Sequence, residues 1–212
     1  MLALTLTGCG PSPSPDTGAA VPSPSATSDT ASPAVPQSGA ATATAPAGPP
    51  AAPAAALPQV MGSSDPVTLS IPSIGVRTDL LHLGLRTNGA LEVPQDTGHG
   101  APASWYNGSP TPGARGPAVI LGHVNALGGA TGVFAGLRDL EPGSEISISR
   151  ADGSTAEFTV DRGALYSKND FPTLEVYGNT DAAELRLITC DGYDPATGLF
   201  DDNYVIYATL TP

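Results

Sequence analysis

The sequence predicts a mainly β domain, either a barrel or a sandwich, that follows a long N-terminal stretch without regular structure. Short runs in which apolar and polar residues alternate recur from about residue 65 onward, and turn-forming glycine, proline and aspartate separate them. Helical periodicity is almost absent from this part of the chain. Many short strands with few helices are typical of barrels and sandwiches, and about 150 residues are enough for one hydrophobic core.

The N-terminus predicts attachment to a membrane. Residues 1–9 are a short apolar run that ends in Leu-Thr-Gly-Cys, which resembles the lipobox of bacterial lipoproteins. The resemblance implies cleavage before Cys9 and a lipid on its sulfur. No Lys or Arg precedes this short run, so the remnant of a plain signal peptide or anchor helix stays an alternative. A disulfide between Cys9 and Cys190 is the other reading of the two cysteines.

Residues 10–63 predict a disordered linker. They consist mostly of Ala, Pro, Ser, Thr and Gly, and Asp16 and Asp29 are their charged residues. Such a segment has too few large apolar side chains to offset the entropy lost on ordering. We expect it to hold a folded domain, residues 64–212, away from the membrane.

The folded domain contains several runs that predict strands. Because Asp152-Gly153 lies between two alternating runs, these two are expected to form a hairpin. The best helical candidate is 132–140, which places Val133, Leu137 and Leu140 on one side. The predicted strands are 67–71, 89–93, 117–124, 145–149, 156–160, 183–189 and 203–208.

Charge and composition exclude several classes of function. The net charge is −12 and only eight residues are Lys or Arg, whereas binding to nucleic acid requires a cationic surface. The sequence has no dense acidic cluster for calcium, no paired cysteines or HExxH for zinc, and no phosphate-binding glycine loop. We therefore predict no metal, no cofactor and no nucleic-acid partner.

Two residues at strand ends are candidates for catalysis. Cys190 follows the apolar run 185–189, and His123 follows the apolar run 119–122. A thiol with a pKa near 8.5 is only a few per cent thiolate at neutral pH, and a neighbouring histidine can stabilise the thiolate or protonate a leaving amine. From position alone, a small buried apolar cysteine and a structural histidine are the commoner interpretations.

The sequence around these residues resembles the sortase family, most closely the class F sortases of actinobacteria. The resemblance extends over residues 65–212 and includes Lys168 followed by Phe171-Pro172. The segments that carry it most strongly are 71–76 (IPSIGV), 112–119 (PGARGPAV), 122–125 (GHVN) and 187–190 (LITC).

The resemblance implies a closed eight-stranded β-barrel with a few short helices, and an enzyme. Cys190 is expected to attack the Thr–Gly carbonyl of an LPXTG-like sorting signal on a secreted protein, which forms a thioester. An amine, such as that of a peptidoglycan precursor, then takes the acyl group. His123 is expected to be the general acid and general base. The enzyme would work at the outer face of the bacterial membrane, tethered by its N-terminus.

The sequence departs from the family at one functional position. Sortases commonly carry an arginine on the strand after the cysteine, and that position is Asn203 here, with no arginine anywhere after Cys190. Asn203 is our candidate for a neutral N–H donor in that place. Alternatively, Arg186 or Arg115 takes the role, or the enzyme is slow or inactive.

Two other functions stay open. A non-catalytic, sortase-like module that binds a sorting signal or cell-wall peptide is consistent with the missing arginine. A hydrolytic cysteine peptidase would use the same residues but transfer the acyl group to water. Labelling of Cys190 by a thiol reagent distinguishes the first from an enzyme, and the product, amide or free acid, distinguishes the second.

Overall fold

Eight strands close a barrel in the computed structural model, which describes residues 59–96 and 100–212. Around the barrel they follow the order β1-β2-β3-β4-β7-β8-β6-β5, and β5 pairs with β1. The predicted mainly β barrel is confirmed. The strands are β1 Pro66–Ile71, β2 Val76–Leu83, β3 Ala103–Tyr106, β4 Gly116–Leu121, β5 Glu145–Arg150, β6 Thr155–Ser167, β7 Ala183–Asp194 and β8 Leu199–Leu210.

Helical structure is short in the described part of the chain. An α-helix, α1, spans Thr173–Tyr177. Single 3-10 turns lie at Pro72–Ile74, Leu127–Gly129, Leu137–Asp139 and Lys168–Asp170.

The central strands β4, β7 and β8 set the register of the barrel wall. β4 runs parallel to β7, with Leu121 opposite Ile188, and β7 runs antiparallel to β8, with Cys190 opposite Asn203. β4 ends at Leu121, so β7 and β8 extend past it as a hairpin.

Two apolar clusters lie on opposite faces of this wall. Side chains alternate across a strand, so Leu187 and Ile206 point into the barrel while Ile188 and Val205 point outward. Val176 of α1 covers the outward cluster and is fully buried. The inward cluster includes Leu69, Ile71, Ile120, Ile146, Phe158 and Leu185.

Trp105 is the single tryptophan of the chain and belongs to the barrel core. It is 5% exposed, and its indole Nε1 donates to Ser109 Oγ at 3.1 Å. The ring of His82 stands edge-on to it at 5.1 Å, and His82 Nε2 lies 2.8 Å from Pro66 O. These contacts give His82 a structural role.

A network of charged and phenolic side chains fixes α1 on the outer face. Glu175 Oε1 accepts hydrogen bonds from Tyr166 Oη at 2.8 Å and from Arg162 Nη2 at 2.7 Å. The Arg162 guanidinium also stacks 3.6 Å from the Tyr207 ring centroid. The Tyr166 hydrogen bond, followed by that of Arg162, lowers the pKa of Glu175 below its usual value of 4.5.

Two predicted elements are wrong. The run 89–93 forms no strand, and only an isolated bridge joins Leu91 to Leu85. The helix predicted at 132–140 is reduced to the 3-10 turn Leu137–Asp139. Leu137 and Leu140 are buried and Val133 is half-buried against the core, but no continuous helix presents them; Phe134, from the loop before the turn, fills the core beside them. The predicted run 117–124 is a strand only to Leu121, so 122–124 lie beyond β4. The remaining predicted runs lie in strands, and β5 and β6 form the expected hairpin with φ of 83° at Gly153.

The beginning of the described chain contacts the barrel. Met61 N donates to Gly113 O at 2.7 Å, and Arg150 donates to Gly62 O. The domain boundary at residue 64 stays a prediction, with these contacts lying just before it. Cys9, almost all of the 10–63 segment and His99 lie outside the described residues.

Candidate active site

His123, Cys190 and Asn203 line one cavity of about 150 Å³ on the outer face of the barrel wall. The structure therefore brings together all three residues that the sequence proposed for the site. The cavity lies where β4 ends, beside the β7–β8 hairpin. Apolar and backbone groups complete its walls: Val93, Pro94, Leu121, Gly122, Ile188 and Thr189.

Cys190 lies where burial along β7 declines. Residues 185–189 are buried, whereas Cys190 is half-buried and carries a free thiol. It lies two residues after Ile188, so on a regular strand both side chains point to the same, outer face. The buried part of the strand thus fixes the backbone of Cys190, while its Sγ faces a cavity open to solvent.

His123 is held by backbone contacts two residues after β4. Gly122 N donates to Ile188 O at 3.1 Å, and Phe134 N donates to His123 O at 2.8 Å. The ring Nε2 lies 2.8 Å from Pro94 O. A carbonyl only accepts, so Nε2 carries the proton and Nδ1 is the nitrogen that gains a proton when the ring becomes charged.

Gly122 is required before the histidine for a steric reason. A Cβ at this position would lie 2.5 Å from Cδ2 of Phe134 and 2.8 Å from Cγ1 of Val133. The chain passes so close to the core here that any side chain would displace the loop carrying His123. The GHVN motif contained this glycine, but its packing reason is visible only in the fold.

Lys168 is the residue at this site to which the sequence analysis gave no role. Its Nζ lies 3.8 Å from Cys190 Sγ and 2.5 Å from Phe200 O. It begins the 3-10 turn after β6, on the far side of β8 from the cysteine. In the sequence, Lys168 was indicated by its place before Phe171-Pro172 in a segment that resembles the family. Its proximity to Cys190 depends on closure of the barrel, which brings β6 beside β8.

The two arginines considered as substitutes lie elsewhere. Arg186 shares the outer face with Cys190, as expected, but it is 3% exposed and pairs with Glu184 at 2.5 Å. It lies four residues from Cys190, about 13 Å along a strand. Arg115 pairs with Asp181 beside the first residue of β4, at the opposite end of that strand from His123.

A third arginine, Arg138, reaches the hairpin from the 3-10 turn Leu137–Asp139. Its Nε donates to Asp191, the neighbour of Cys190, and its guanidinium lies 5.3 Å from the Tyr204 ring centroid. The hydrogen bond to Asp191 raises the pKa of Arg138. This pair joins the hairpin to the 3-10 turn Leu137–Asp139.

Among the described residues there is neither a cluster of metal-binding side chains nor a helix suited to span a membrane. In ranges 59–96 and 100–212, His, Cys, Asp and Glu side chains form no group that could hold a metal ion. Over those same residues, no helix has the length and apolar character needed to cross a bilayer.

Comparison with known proteins identifies relatives. A family model described as the sortase domain matches residues 69–211. A comparison with curated protein sequences finds no match. Among solved structures, the chain is similar to sortase C-1 of Actinomyces oris, with 21% identity, a TM-score of 0.53, and coverage of 70% of this chain and 76% of that one.

Two Clostridium perfringens structures show the same likeness in fold. Sortase C of strain SM101 is 15% identical with a TM-score of 0.51, and 72% of this chain and 73% of that chain are covered. A sortase D5 transpeptidase is 20% identical with a TM-score of 0.50, and the covered shares are 70% and 79%.

Proposed function

Since the chain belongs to the sortase family, whose members act as transpeptidases, we propose that it cleaves an LPXTG-like sorting signal and joins the protein to a cell-wall amine. One observation carries the proposal: His123, Cys190 and Asn203 line a single cavity beside the end of β4. A thiol, a proton carrier and an amide donor around one small cavity are the groups that acyl transfer requires.

In the first half of the reaction, Cys190 is the nucleophile. Its thiolate attacks the Thr–Gly carbonyl, the new C–S bond forms, and the carbonyl electron pair moves to oxygen. When the tetrahedral intermediate collapses, the C–N bond breaks and His123 gives its proton to the departing amine. The products are a thioester on Cys190 and the released C-terminal peptide.

In the second half, an amine attacks the thioester. Its nitrogen forms the new C–N bond, the C–S bond breaks, and its proton passes to His123. The thiolate returns to its starting state. One amide bond is broken in the first half and another is formed in the second, so the reaction requires neither a cofactor nor ATP.

Asn203 is proposed as a neutral donor to the oxyanion. It faces Cys190 across the β7–β8 ladder and lines the same cavity. Its amide nitrogen can donate to the developing charge without contributing a charge of its own. This places hydrogen-bond donation at the position where the family commonly has an arginine.

The remaining assignments complete the proposal. We assign the chain to class F of the family on its sequence motifs. The folded domain begins near residue 64, after a linker at 10–63, and Cys9 in the segment 1–9 is the proposed lipid attachment site. The enzyme then acts at the outer membrane face on secreted proteins, with a peptidoglycan precursor as acceptor.

The test is an acyl-transfer assay with the whole chain. The protein is mixed with an LPXTG-type peptide and a primary amine, and peptide and protein masses are recorded. We expect a peptide–amine conjugate, a thioester adduct on the wild-type protein, and neither with Cys190→Ala. Free acid as the sole product would identify a hydrolase. Absence of adduct and product over a panel of peptides and amines would favour the binding module.

A further inference from the structure

We propose that Lys168 is a catalytic residue that supplies the positive charge of the active site, a task that the uncharged Asn203 cannot perform. The inference rests on the proposed acyl transfer at Cys190. Its starting point is the 3.8 Å distance between Lys168 Nζ and Cys190 Sγ, since this ammonium touches the reacting atom itself.

Four neighbouring strands present the groups in a row. His123 follows β4, Cys190 belongs to β7, Asn203 to β8, and Lys168 follows β6, and these strands are adjacent in this order around the barrel. The proton carrier therefore lies on one side of the nucleophile and the cation on the other. Lys168 reaches over β8, where Asn203 presents a short side chain.

The charge of Lys168 is not used elsewhere in the described part of the chain. It forms no ion pair there, and its ammonium donates to the thiol of Cys190 and to the backbone carbonyl of Phe200. Of the seven arginines, two, Arg77 and Arg86, belong to β2 and the loop that follows it, and neither lines the cavity. The other five each pair with a carboxylate: Arg115, Arg138, Arg150, Arg162 and Arg186.

The geometry of the ammonium suits an anion that appears and disappears during the reaction. An ammonium has three N–H donors, of which one meets Phe200 O at 2.5 Å and one faces Sγ. The carbonyl anchors Nζ in place, and a donor remains for the oxyanion. The positive charge of Lys168 faces the sulfur before attack and attracts the negative oxygen after it, and Lys168 exchanges no proton in either step.

The first test measures charge at Cys190 without relying on transpeptidation. The whole chain is alkylated with anionic iodoacetate or neutral iodoacetamide, and the two rates are compared. No Lys or Arg follows Arg186, so trypsin releases residues 187–212 and mass spectrometry separates Cys190 from Cys9. In Lys168→Met, the ratio of iodoacetate to iodoacetamide rates should fall about five-fold, the effect of one charge near 4 Å in a water-exposed site.

Two variants serve as matched controls for this ratio. Lys168→Arg keeps the charge and should keep the ratio. Arg115→Met removes an exposed cation beside the other end of β4 and should also leave it unchanged. Lys168 is exposed, so all variants are expected to keep the circular dichroism spectrum of the wild type. An unchanged ratio in Lys168→Met overturns the proposal.

The second test measures catalysis in the peptide–amine assay. Lys168→Met should lower kcat/KM about ten-fold, less than the loss of a buried oxyanion donor because Lys168 is exposed. The double variant Lys168→Met/Asn203→Arg should regain most of it, because the arginine restores a cation beside Cys190. Unchanged kcat/KM in Lys168→Met would refute a catalytic role. A third outcome is that the ratio of iodoacetate to iodoacetamide rates falls in Lys168→Met while the wild-type protein forms no peptide–amine product. That result contradicts the acyl-transfer function, but the cation beside Cys190 stands.

Discussion

The two halves of the β7–β8 pair differ in burial although they form one continuous ladder. The barrel half comprises 183–189 and 204–210, where no residue is exposed and Leu187 and Ile206 are fully buried. The open half comprises 190–194 and 199–203, and Tyr193 and Leu199 are 58% and 62% exposed. Cys190 and Asn203 are the first pair of the open half. The difference separates the residues that hold the fold from those that perform the chemistry.

The largest effect is expected from His123→Ala, which leaves both halves of the ladder unchanged. The loss of the proton carrier should lower kcat about 10²–10⁴-fold, the usual contribution of general acid–base catalysis. The peptide–amine assay measures the rate, and the urea midpoint should match that of the wild type. A large drop in the midpoint would mean that the His123 loop is part of the folding core, which contradicts the separation.

Asn203→Ala tests the open half itself. Removing a single amide donor from an oxyanion site typically lowers the rate ~10²–10³-fold, and we expect a loss in this range with little change in stability. Asn203→Asp is the matched variant, since it keeps the shape but replaces the donor with a negative charge. Turnover at the wild-type rate in Asn203→Ala would assign oxyanion binding to other groups, Lys168 among them.

Leu187→Ala tests the barrel half. Leu187 is fully buried in the inward cluster, and such a truncation usually lowers the free energy of unfolding by about 2–5 kcal/mol. Leu199→Ala is the same chemical change in the open half, where we expect less than about 0.5 kcal/mol. Urea denaturation measures both. Equal losses in the two variants would show that the hairpin is as integral to the core as the barrel.

The smallest effect is expected from the hydrogen bonds of Glu175 to Tyr166 and Arg162, which fix α1 on the outer face of the barrel. The pKa of Glu175 is lowered by the Tyr166 hydrogen bond first and by Arg162 second. A carboxyl with a lowered folded pKa stabilises the protein above its unfolded pKa, and this contribution is lost as pH falls through the folded value. Urea midpoints of wild type and Glu175→Gln should therefore differ at pH 7 and converge toward pH 3. A difference that persists at low pH would require another origin.

Much of the barrel was predictable because several of its strands carry their own pattern. The apolar run 183–189 and the alternating β5–β6 hairpin signal their structure locally, whichever partners they have. β2 and β3 were missed, since Val76–Leu83 carries several polar residues and β3 has only four residues. The 132–140 prediction failed because Phe134 and Leu137 are buried by a loop that fills the barrel rather than by a helix face.

The candidate site was predictable to a different degree. His123, Cys190 and Asn203 were found through motifs and strand position, and they line one cavity. The approach of Lys168 was not predictable from spacing, because it depends on β6 pairing with β8 and on a lysine side chain that crosses a strand. The hydrogen bond between His123 Nε2 and the carbonyl of Pro94 was likewise not predictable, because Pro94 lies in a loop without a strand pattern.

The lone tryptophan gives this barrel an optical signal. Trp105 is buried on β3, in edge contact with His82, and its fluorescence in the folded state should be blue-shifted compared with a solvated indole. Emission would therefore follow the opening of the barrel and would hardly respond to events in the β7–β8 hairpin. A fluorophore on a peptide substrate would report the site, and the two colours together would time catalysis and unfolding in a single sample.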